Sequence, residues 1–214
     1  MQAAREATLR NTSQESISKL YNNSDMSWTK RLFDIVVAQL LLLLMSPLLL
    51  ILAGLIKATS QGPVFHWSDR VGKYNRMFRM PKYRSMRIDT PQLATHLLSD
   101  PRAYLTPIGA FLRRSSLDEL PQLFSILVGD LSFVGPRPAL FNQYDLIALR
   151  TELGIHSLVP GLTGWAQING RDELAIPVKV RFDYEYLQRH SLQMDFRILC
   201  MTAVRVLRSE GVHH

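Results

Sequence analysis

The sequence predicts an α+β protein that is mostly helical, in which a membrane helix precedes a compact domain with a small β-hairpin. Residues 33–56 contain only three polar side chains, and a helix of this length would just cross a hydrocarbon core of about 30 Å. Asn169-Gly170 is the strongest short hairpin signal in the chain. Further helices are expected near residues 108–128, 139–150 and 178–189, the last of them opened by Pro177.

The charge of the chain is concentrated in one block. The protein has 214 residues, with 25 Lys+Arg against 18 Asp+Glu and a formal net charge of +7. Residues 57–87 contain eight basic residues and one acidic residue, which leaves the rest of the chain balanced at 17 of each sign. Such a block indicates a phosphate partner: nucleic acid, an anionic membrane surface or a phosphorylated small molecule. The hydrophobic content of 47% excludes wholesale disorder, and the one cysteine, Cys200, excludes an intramolecular disulfide framework.

The membrane segment has two interpretations that its spacing does not separate. Lys30 and Arg31 precede it and the basic block follows it, so both flanks favour the cytoplasmic side. Ser46-Pro47 lies in the middle, where proline removes an amide donor and favours a bend. The helix either breaks there and returns to the same face, or crosses the membrane once with a kink. A re-entrant helix needs a donor for the freed carbonyls, which Ser46 or Arg31 could supply.

The composition divides the chain into three parts. Residues 1–27 are rich in Asn, Ser, Gln and Thr and are predicted to be a disordered extension. Residues 28–58 form the membrane helix, and residues 59–214 form the compact domain, which begins with short strands and ends in an amphipathic helix. The basic stripe of that last helix suits either a membrane interface or the solvated face of a core helix. The stripe consists of Arg197, Arg205 and Arg208.

Asp118 and Glu119 are the sharpest candidates for chemistry. Adjacent carboxylates at an expected helix start lie in the positive end of the helix dipole, which also suits phosphate. Two such carboxylates can bind Mg²⁺ and still leave one oxygen free to attack phosphorus. The alternative is a capping box formed by Ser116 and Glu119, in which Asp118 merely favours the dipole. The residues alone leave both interpretations open.

Gly135-Pro136-Arg137-Pro138 is a second candidate. Prolines on both sides fix the backbone near polyproline II, so the guanidinium of Arg137 is directed at little cost in entropy and suits a bidentate phosphate contact. The alternative is an arginine in an exposed turn. Lys82, Arg84 and Arg171 are further phosphate candidates. The sequence contains no Walker A, GxGxxG, GxSxG or HExxH motif, so the common nucleotide folds and zinc hydrolases are unsupported.

Five motifs occur in an order that resembles one family. They are Lys-Arg-x-x-Asp before a Ser-Pro-interrupted apolar helix, PKYRSM, SLDELPQ, GDLSFVGPRP and PGLTGWAQINGR. This combination resembles the bacterial sugar transferases, and within them the small, catalytic-domain-only form of the monotopic polyprenol-phosphate phosphoglycosyl transferases. The resemblance covers about residues 28–212.

The resemblance implies a reaction and roles for named residues. The family transfers a sugar-1-phosphate from a UDP-sugar to undecaprenyl phosphate and releases UMP, which begins a surface glycan such as O-antigen, capsule, exopolysaccharide or the glycan of a glycoprotein. It implies that Asp118 is the nucleophile of an aspartyl-phosphosugar intermediate, and that Asp118 and Glu119 hold Mg²⁺. The substrate and phosphate contacts predicted with it are Lys82, Arg84, Arg137, Gln167, Asn169, Arg171 and Asp183.

The resemblance also implies a location. Arg31 would stabilise the bend at Ser46-Pro47, which keeps the membrane helix re-entrant and the domain on one side, with its amphipathic helices at the membrane interface. The protein is then a monotopic protein of the bacterial inner membrane with its active site on the cytoplasmic face. Its partners are the UDP-sugar, undecaprenyl phosphate and the membrane, with no nucleic acid, and a homodimer is left open.

One position departs from the family pattern. Many members carry Arg or Lys immediately before the Pro-Gly of PGxTG, where this chain has Val159. If that cation contacts the donor in relatives, this protein uses another residue or a different sugar. The competing hypothesis from another class is a membrane-bound scaffold whose basic block binds anionic lipid, for which Asp118 and Glu119 would be dispensable.

Overall fold

Helices dominate the fold, and two small sheets lie among them. The computed structural model describes residues 28–91, 100–170 and 174–207, so the predicted extension at 1–27 lies outside the described residues. The α-helices are α1 (Trp28–Thr59), α2 (Gly109–Arg114), α3 (Gln122–Val128), α4 (Tyr144–Glu152), α5 (Trp165–Ile168), α6 (Ile176–Arg189) and α7 (Leu192–Leu207). The strands are β1 (Phe65–Val71), β2 (Met77–Tyr83), β3 (Ser132–Val134), β4 (Ala139–Leu140) and β5 (Gly161–Thr163). The predicted α+β class, mostly helical, is confirmed.

The hairpin is formed by β1 and β2, which pair antiparallel along their full length. The other edge of β1 pairs antiparallel with β4, and β3 pairs in parallel with β5. The tip of the hairpin reaches α4, because the side-chain amide of Asn75 donates to the hydroxyl of Thr151 at 2.9 Å. The hairpin therefore contacts α4 at its tip and, through Tyr83 and Leu49, α1 at its other end.

Asn169-Gly170 does not form the hairpin that the sequence predicts. Asn169 ends α5, and its side-chain amide donates to the carbonyl of Trp165 at 2.8 Å. Gly170 follows with a φ of 146°. Asn-Gly is a helix stop as well as a hairpin turn, because both residues tolerate conformations that other side chains avoid.

The helix expected near 108–128 is two helices, α2 and α3, separated by a 3-10 turn at Leu117–Glu119. Ser116 adopts a left-handed conformation with a φ of 56°, which prevents α2 from continuing. Pro121 stands directly before α3. The segment expected as a helix near 139–150 is divided between β4 and α4, whereas the helix over 178–189 is confirmed as α6.

α1 is helical without interruption through Ser46-Pro47, so a re-entrant turn there would be a bend of a continuous helix at the proline, and not a gap between two helices. Because Pro47 has no amide hydrogen, the carbonyl of Leu43 loses its usual partner one turn later. The hydroxyl of Ser46 donates to that carbonyl instead, at 2.8 Å. Ser46 therefore supplies the donor predicted for it from the sequence, and the helix continues past the proline.

Arg31 does not contact the Ser46-Pro47 step, contrary to the expectation. Its terminal nitrogens donate to the carbonyls of Ile126 and Leu127, at 2.6 and 2.7 Å, at the C-terminal end of α3. Along an α-helix, Arg31 and Ser46 lie about 22 Å apart, far beyond the reach of the side chain. Arg31 instead satisfies carbonyls that have no partner within α3, and thereby joins α1 to that helix.

Both ends of α1 are attached to the same compact domain. Near the N-terminal end, Asp34 is buried and accepts a hydrogen bond from the amide of Phe133 at 3.3 Å. After Pro47, the hydroxyl of Tyr83 donates to the carbonyl of Leu49 at 2.8 Å, and near the C-terminal end Ile56 is buried. The helix is therefore anchored to the domain before and after its proline.

The outer face of α1 is apolar and uncovered. The helix is long and apolar enough to cross a membrane, and 11% of its most apolar window is buried within the protein. Its exposed large side chains are Trp28, Leu32, Val36, Leu40, Leu43, Leu44, Leu50, Ile51 and Leu55. A continuous apolar surface of this length is unfavourable in water, so it favours a lipid environment.

The C-terminal helix α7 has one face in the core and one face outside it. Asp195 and Ile198 are buried, whereas Phe196 and Arg197 are exposed. This is the amphipathic arrangement expected of a helix at an interface. Arg208 of the predicted basic stripe lies outside the described residues.

Replacing Ser46 by alanine is expected to lower the stability of the protein in detergent micelles. The carbonyl of Leu43 would lose its donor in an apolar environment, which costs about 1–3 kcal/mol. Pro47→Ala restores an amide donor, so Ser46→Ala should cost much less in the Pro47→Ala background than in the wild type. Thermal unfolding of the four proteins of this cycle measures the difference. Equal losses in both backgrounds would contradict the assignment.

Candidate active site

The turn between α2 and α3 presents two adjacent carboxylates. Asp118 and Glu119 lie in this 3-10 turn, directly after the left-handed Ser116. The side chain of Ser116 makes no capping hydrogen bond, so the capping box that the sequence left open is not formed. A structural role as a helix cap therefore does not account for the pair.

Glu119 is held by two cations from different elements. Its Oε1 accepts hydrogen bonds from Nζ of Lys82 at 2.7 Å and from Nη2 of Arg137 at 3.4 Å. Lys82 is on β2, and Arg137 lies between β3 and β4 in the loop 135–138, named here the GPRP loop. Burial raises the pKa of Glu119, but Lys82 and Arg137 together lower it to about 2. Glu119 is therefore a fixed negative charge at neutral pH.

Asp118 is buried and less well neutralised than its neighbour. Its side chain is buried, with the residue 8% exposed. Burial is the largest influence on the pKa of Asp118 and raises it to about 6, with Glu119 adding to the rise and Lys82 and Arg113 opposing it. Neighbouring carboxylates with widely separated pKa values have different chemical roles. Here Glu119 is a static charge, and Asp118 is a desolvated carboxylate with a raised pKa.

The GPRP loop is held by its backbone. Pro136 and Pro138 have no amide hydrogen, so the segment cannot pair as a strand and its carbonyls need donors from other elements. The amide of Gly161 donates to the carbonyl of Pro136 at 2.9 Å, and Nη1 of Arg70 donates to the carbonyl of Pro138 at 3.2 Å. Arg137 is therefore presented towards Glu119 from a fixed main chain.

Glycines allow the PGLTG segment to lie directly against the GPRP loop. A Cβ on Gly135 would lie 2.4 Å from the carbonyl oxygen of Val159, and a Cβ on Gly164 would lie 2.1 Å from the carbonyl oxygen of Gly135. Side chains at either position would push the two segments apart. The main chain of Val159, the residue that departs from the family pattern, therefore packs against the GPRP loop.

Two of the predicted phosphate ligands are engaged elsewhere. Arg84 is buried and donates to the carbonyls of Ser60 and Gln61, which closes the junction between α1 and β1. Asp183 is buried and pairs with Arg150 at 2.6 Å. Within the described residues neither side chain contacts the carboxylate pair, because partners distant in sequence occupy both.

Three further predictions concern the PGLTGWAQINGR segment. The side-chain amide of Gln167 is buried, with neither its nitrogen nor its oxygen hydrogen-bonded. Such a group is costly to bury unpaired, which keeps Gln167 a candidate for a substrate or water contact. Asn169 caps α5 through Trp165. Arg171 lies outside the described residues.

Some residues beside the site were not predicted from the sequence. Arg113 opposes the rise in the pKa of Asp118, so it belongs to the surroundings of that carboxylate. His66 stands opposite Lys82 in the hairpin and shares its face with Arg70. Burial lowers the pKa of His66, and Lys82, Arg70 and Arg113 lower it further. Period-two alternation along β1 predicts that His66 and Arg70 share one face of the hairpin. Which face lies nearest the carboxylates depends on the tertiary fold.

Asp118 and Glu119 could supply the protein ligands of a magnesium ion. In the part of the chain that the structure describes, no group of three or more His, Cys, Asp and Glu side chains could hold a metal ion. Mg²⁺ commonly takes one or two carboxylates and completes its shell with water and phosphate oxygens. Asp118, whose pKa is raised by burial, is a buried acceptor that a cation would neutralise, and Glu119 lies beside it. The donor set therefore fits Mg²⁺ bound with a phosphorylated ligand.

Asp118→Asn is expected to stabilise the metal-free protein at neutral pH. The pKa of Asp118 is raised to about 6 in the folded protein, above its ordinary value of 3.8. The stability that its proton contributes is fully present below about pH 4 and is lost as pH rises through about 6. At pH 7.5 the uncharged asparagine avoids this loss, on the order of 2–3 kcal/mol. Thermal unfolding from pH 5 to pH 8 in EDTA should show that the stability advantage of Asp118→Asn over the wild type increases with pH.

Glu119→Gln is the matched control and should have the opposite effect. The pKa of Glu119 is lowered to about 2 from an ordinary 4.5, so its ionised form stabilises the fold above about pH 4.5 and this contribution is lost as pH falls through 2. Glutamine would leave Lys82 and Arg137 without their counter-charge. Destabilisation by both variants at pH 7.5 would show that the two carboxylates do not differ in the way described.

Comparison with known proteins identifies relatives along most of the chain. The family described as bacterial sugar transferase matches residues 25–209. The UDP-glucose:undecaprenyl-phosphate glucose-1-phosphate transferase of Xanthomonas campestris pv. campestris is 43% identical over 190 residues, which cover 83% of this chain and 38% of that protein. The enzyme of the same name from Escherichia coli (strain K12) is 40% identical, over 82% of this chain and 39% of its own length. The uncharacterized sugar transferase EpsL of Bacillus subtilis (strain 168) is 40% identical, over 86% and 89%.

These matches differ in how much of each relative is covered. The chain spans about two-fifths of the Xanthomonas and Escherichia proteins and nearly nine-tenths of EpsL. The family match includes α1, the carboxylate turn, the GPRP loop and α7. The chain belongs to the bacterial sugar transferase family.

Proposed function

We propose that this protein transfers a sugar-1-phosphate from a UDP-sugar to undecaprenyl phosphate, releases UMP, and so begins the synthesis of a surface glycan. The observation that carries the proposal is the pair of unlike carboxylates: a desolvated Asp118 beside a Glu119 that Lys82 and Arg137 hold in place. The names of the Xanthomonas and Escherichia relatives specify the same donor class and the same acceptor.

The first half of the reaction forms a covalent intermediate on Asp118. A carboxylate oxygen of Asp118 attacks the sugar-bearing phosphorus of the UDP-sugar, and the bond from that phosphorus to the bridging oxygen breaks. The bridging oxygen leaves on UMP with the electron pair. Burial favours this role, because a carboxylate stripped of water is a stronger nucleophile, and a pKa of about 6 leaves most of it ionised near pH 7.5.

The second half of the reaction restores the carboxylate. An oxygen of undecaprenyl phosphate attacks the same phosphorus, and the acyl phosphate bond breaks with its electrons returning to Asp118. The product is a lipid-linked sugar diphosphate. Covalent catalysis lets a water-soluble donor and a lipid acceptor use one site in succession, so the two need never be bound together.

The cations of the site accommodate the phosphate charge. Arg137 is fixed by its loop and is one-third exposed, so it can contact an incoming phosphate while it borders Glu119. Lys82 lies on the other side of Glu119. Asp118 and Glu119 would hold Mg²⁺, which when bound supplies charge neutralisation at the phosphates.

The membrane arrangement that suits this reaction is monotopic and re-entrant. Both ends of α1 contact one domain, through Asp34 near one end and, near the other, through Ile56, which is buried in a cluster with Tyr83 and Leu112. A helix that crossed the bilayer would have its ends separated by about 30 Å of hydrocarbon, which a domain on one side cannot bridge. The basic residues on both flanks favour the cytoplasmic face of the inner membrane. The site then lies where the lipid phosphate is found.

Purified protein in detergent is expected to release UMP from a UDP-sugar and to transfer labelled sugar phosphate to undecaprenyl phosphate. Without acceptor, the wild type should release one UMP per molecule and become labelled through a bond that hydroxylamine cleaves, as expected for an acyl phosphate. Asp118→Asn should lower transfer by about 1,000-fold or more and abolish the label. Asp145→Asn, an exposed carboxylate on α4, is the matched control. Undiminished transfer by Asp118→Asn would exclude the nucleophile, and no transfer by the wild type would favour a scaffold.

The topology is tested by labelling single cysteines in cells. In a Cys200→Ser background, Thr29→Cys and Ala58→Cys place one thiol at each end of α1. A re-entrant helix predicts that a membrane-impermeant maleimide labels neither cysteine in intact spheroplasts and labels both after permeabilisation. Labelling of one position alone in intact spheroplasts would contradict the re-entrant arrangement and favour a single span.

A further inference from the structure

A buried arginine holds the main chain of Arg137. Arg150 is on α4 and is 7% exposed, and its Nη1 donates to the carbonyl of Arg137 at 2.8 Å. Its Nε and Nη2 donate to Oδ2 of Asp183 on α6, at 3.0 and 2.6 Å. One guanidinium therefore connects α4, α6 and the GPRP loop.

The planarity of this guanidinium makes the connection directional. Arginine has five donors in a rigid fork, so once Nε and Nη2 are placed on Asp183 the direction of Nη1 is fixed. The carbonyl of Arg137 must then lie where Nη1 points. The side chain of Arg137 leaves the same residue and reaches Oε1 of Glu119 at 3.4 Å. Asp183 thus fixes the orientation of Arg150, and Arg150 in turn fixes the main chain of Arg137, the residue that borders Glu119.

A purely structural explanation of this pair is unfavourable. Burying an ion pair costs several kcal/mol in desolvation, and well-packed apolar residues usually join two helices at least as well. Asp183 is 1% exposed, so its carboxylate has no open face for a ligand. It would also repel the phosphates of a nucleotide sugar. The pair is better explained by the third contact that it makes possible, the one to Arg137.

We infer that Arg150 and Asp183 are positioning residues that set the direction in which Arg137 presents its guanidinium to the donor phosphate. This inference rests on the proposed function and deepens it. It replaces the direct substrate contact that the family resemblance implies for Asp183. The two residues act through Arg137, so their effect on the reaction depends on the side chain at that position.

The test is a set of variants in two backgrounds, assayed as the full chain in detergent. Arg150→Lys, which keeps the charge but loses the fork, and Asp183→Asn are made in the wild type and in Arg137→Gln. UMP release is measured with the UDP-sugar that the wild type uses fastest in a panel of UDP-hexoses and UDP-N-acetylhexosamines, per folded molecule. In the wild-type background each variant should lower kcat/KM by about 10–100-fold. In the Arg137→Gln background each should lower it by less than about threefold.

A double variant and a control variant complete the test. Arg150→Met combined with Asp183→Leu removes the ion pair without leaving a buried charge, so it should fold and still lose the activity that depends on Arg137. Arg181→Gln removes an exposed ion pair with Glu185 on the same helix and should keep full activity.

The outcomes separate the inference from the proposed function. Equal losses in both backgrounds would mean that Arg150 and Asp183 act independently of Arg137, as structural or substrate-binding residues, and would overturn the inference. Wild-type activity in Arg150→Lys and in the Met/Leu double variant would also overturn it. A wild type that releases no UMP from any sugar of the panel would instead overturn the proposed function, and the inference with it.

Discussion

The site depends on an unequal division of positive charge between two neighbouring carboxylates. Lys82 and Arg137 both direct their hydrogen bonds to Glu119, and burial leaves Asp118 without comparable compensation. Two adjacent acids cannot both be fully ionised in a dry environment unless cations reach both. The hairpin, the short turn and the GPRP loop converge so that Lys82 and Arg137 both contact Glu119. The other acid, Asp118, keeps a raised pKa because Lys82 and Arg113 offset its burial only in part.

The GPRP loop shows how a segment without regular hydrogen bonding becomes rigid. Its prolines remove the donors that a strand would use, so its carbonyls are satisfied one at a time by different parts of the chain. The carbonyl of Val134, which precedes the loop, accepts from both Lys30 of α1 and Tyr186 of α6, each at 3.2 Å. The loop is thus a junction at which α1, the hairpin and the core helices meet.

The sequence predicts the elements better than it predicts the contacts. The continuous apolar run of α1 and the proline that opens α6 are local signals, and both helices are present. The Asn169-Gly170 signal is local too, but it serves equally as a hairpin turn and as a helix stop, and packing of α5 decides between them. Arg84 and Asp183 could not be distinguished from substrate or phosphate contacts, because the sequence pattern of a charged residue does not show which partner it has. Their partners are set by the tertiary fold.

The two attachments of α1 have consequences for the order of events during synthesis. Leu49 is hydrogen-bonded to Tyr83, which is 34 positions later, whereas Asp34 is hydrogen-bonded to Phe133, which is 99 positions later. At about 5–20 residues per second, the second partner leaves the ribosome about 5–20 s after Asp34 itself. During that interval the most apolar helix of the chain exists without the domain that will fix its start. The start of the helix is therefore fixed only after α3 and β3 have emerged, and its ion pair between Lys30 and Asp195 of α7 forms later still.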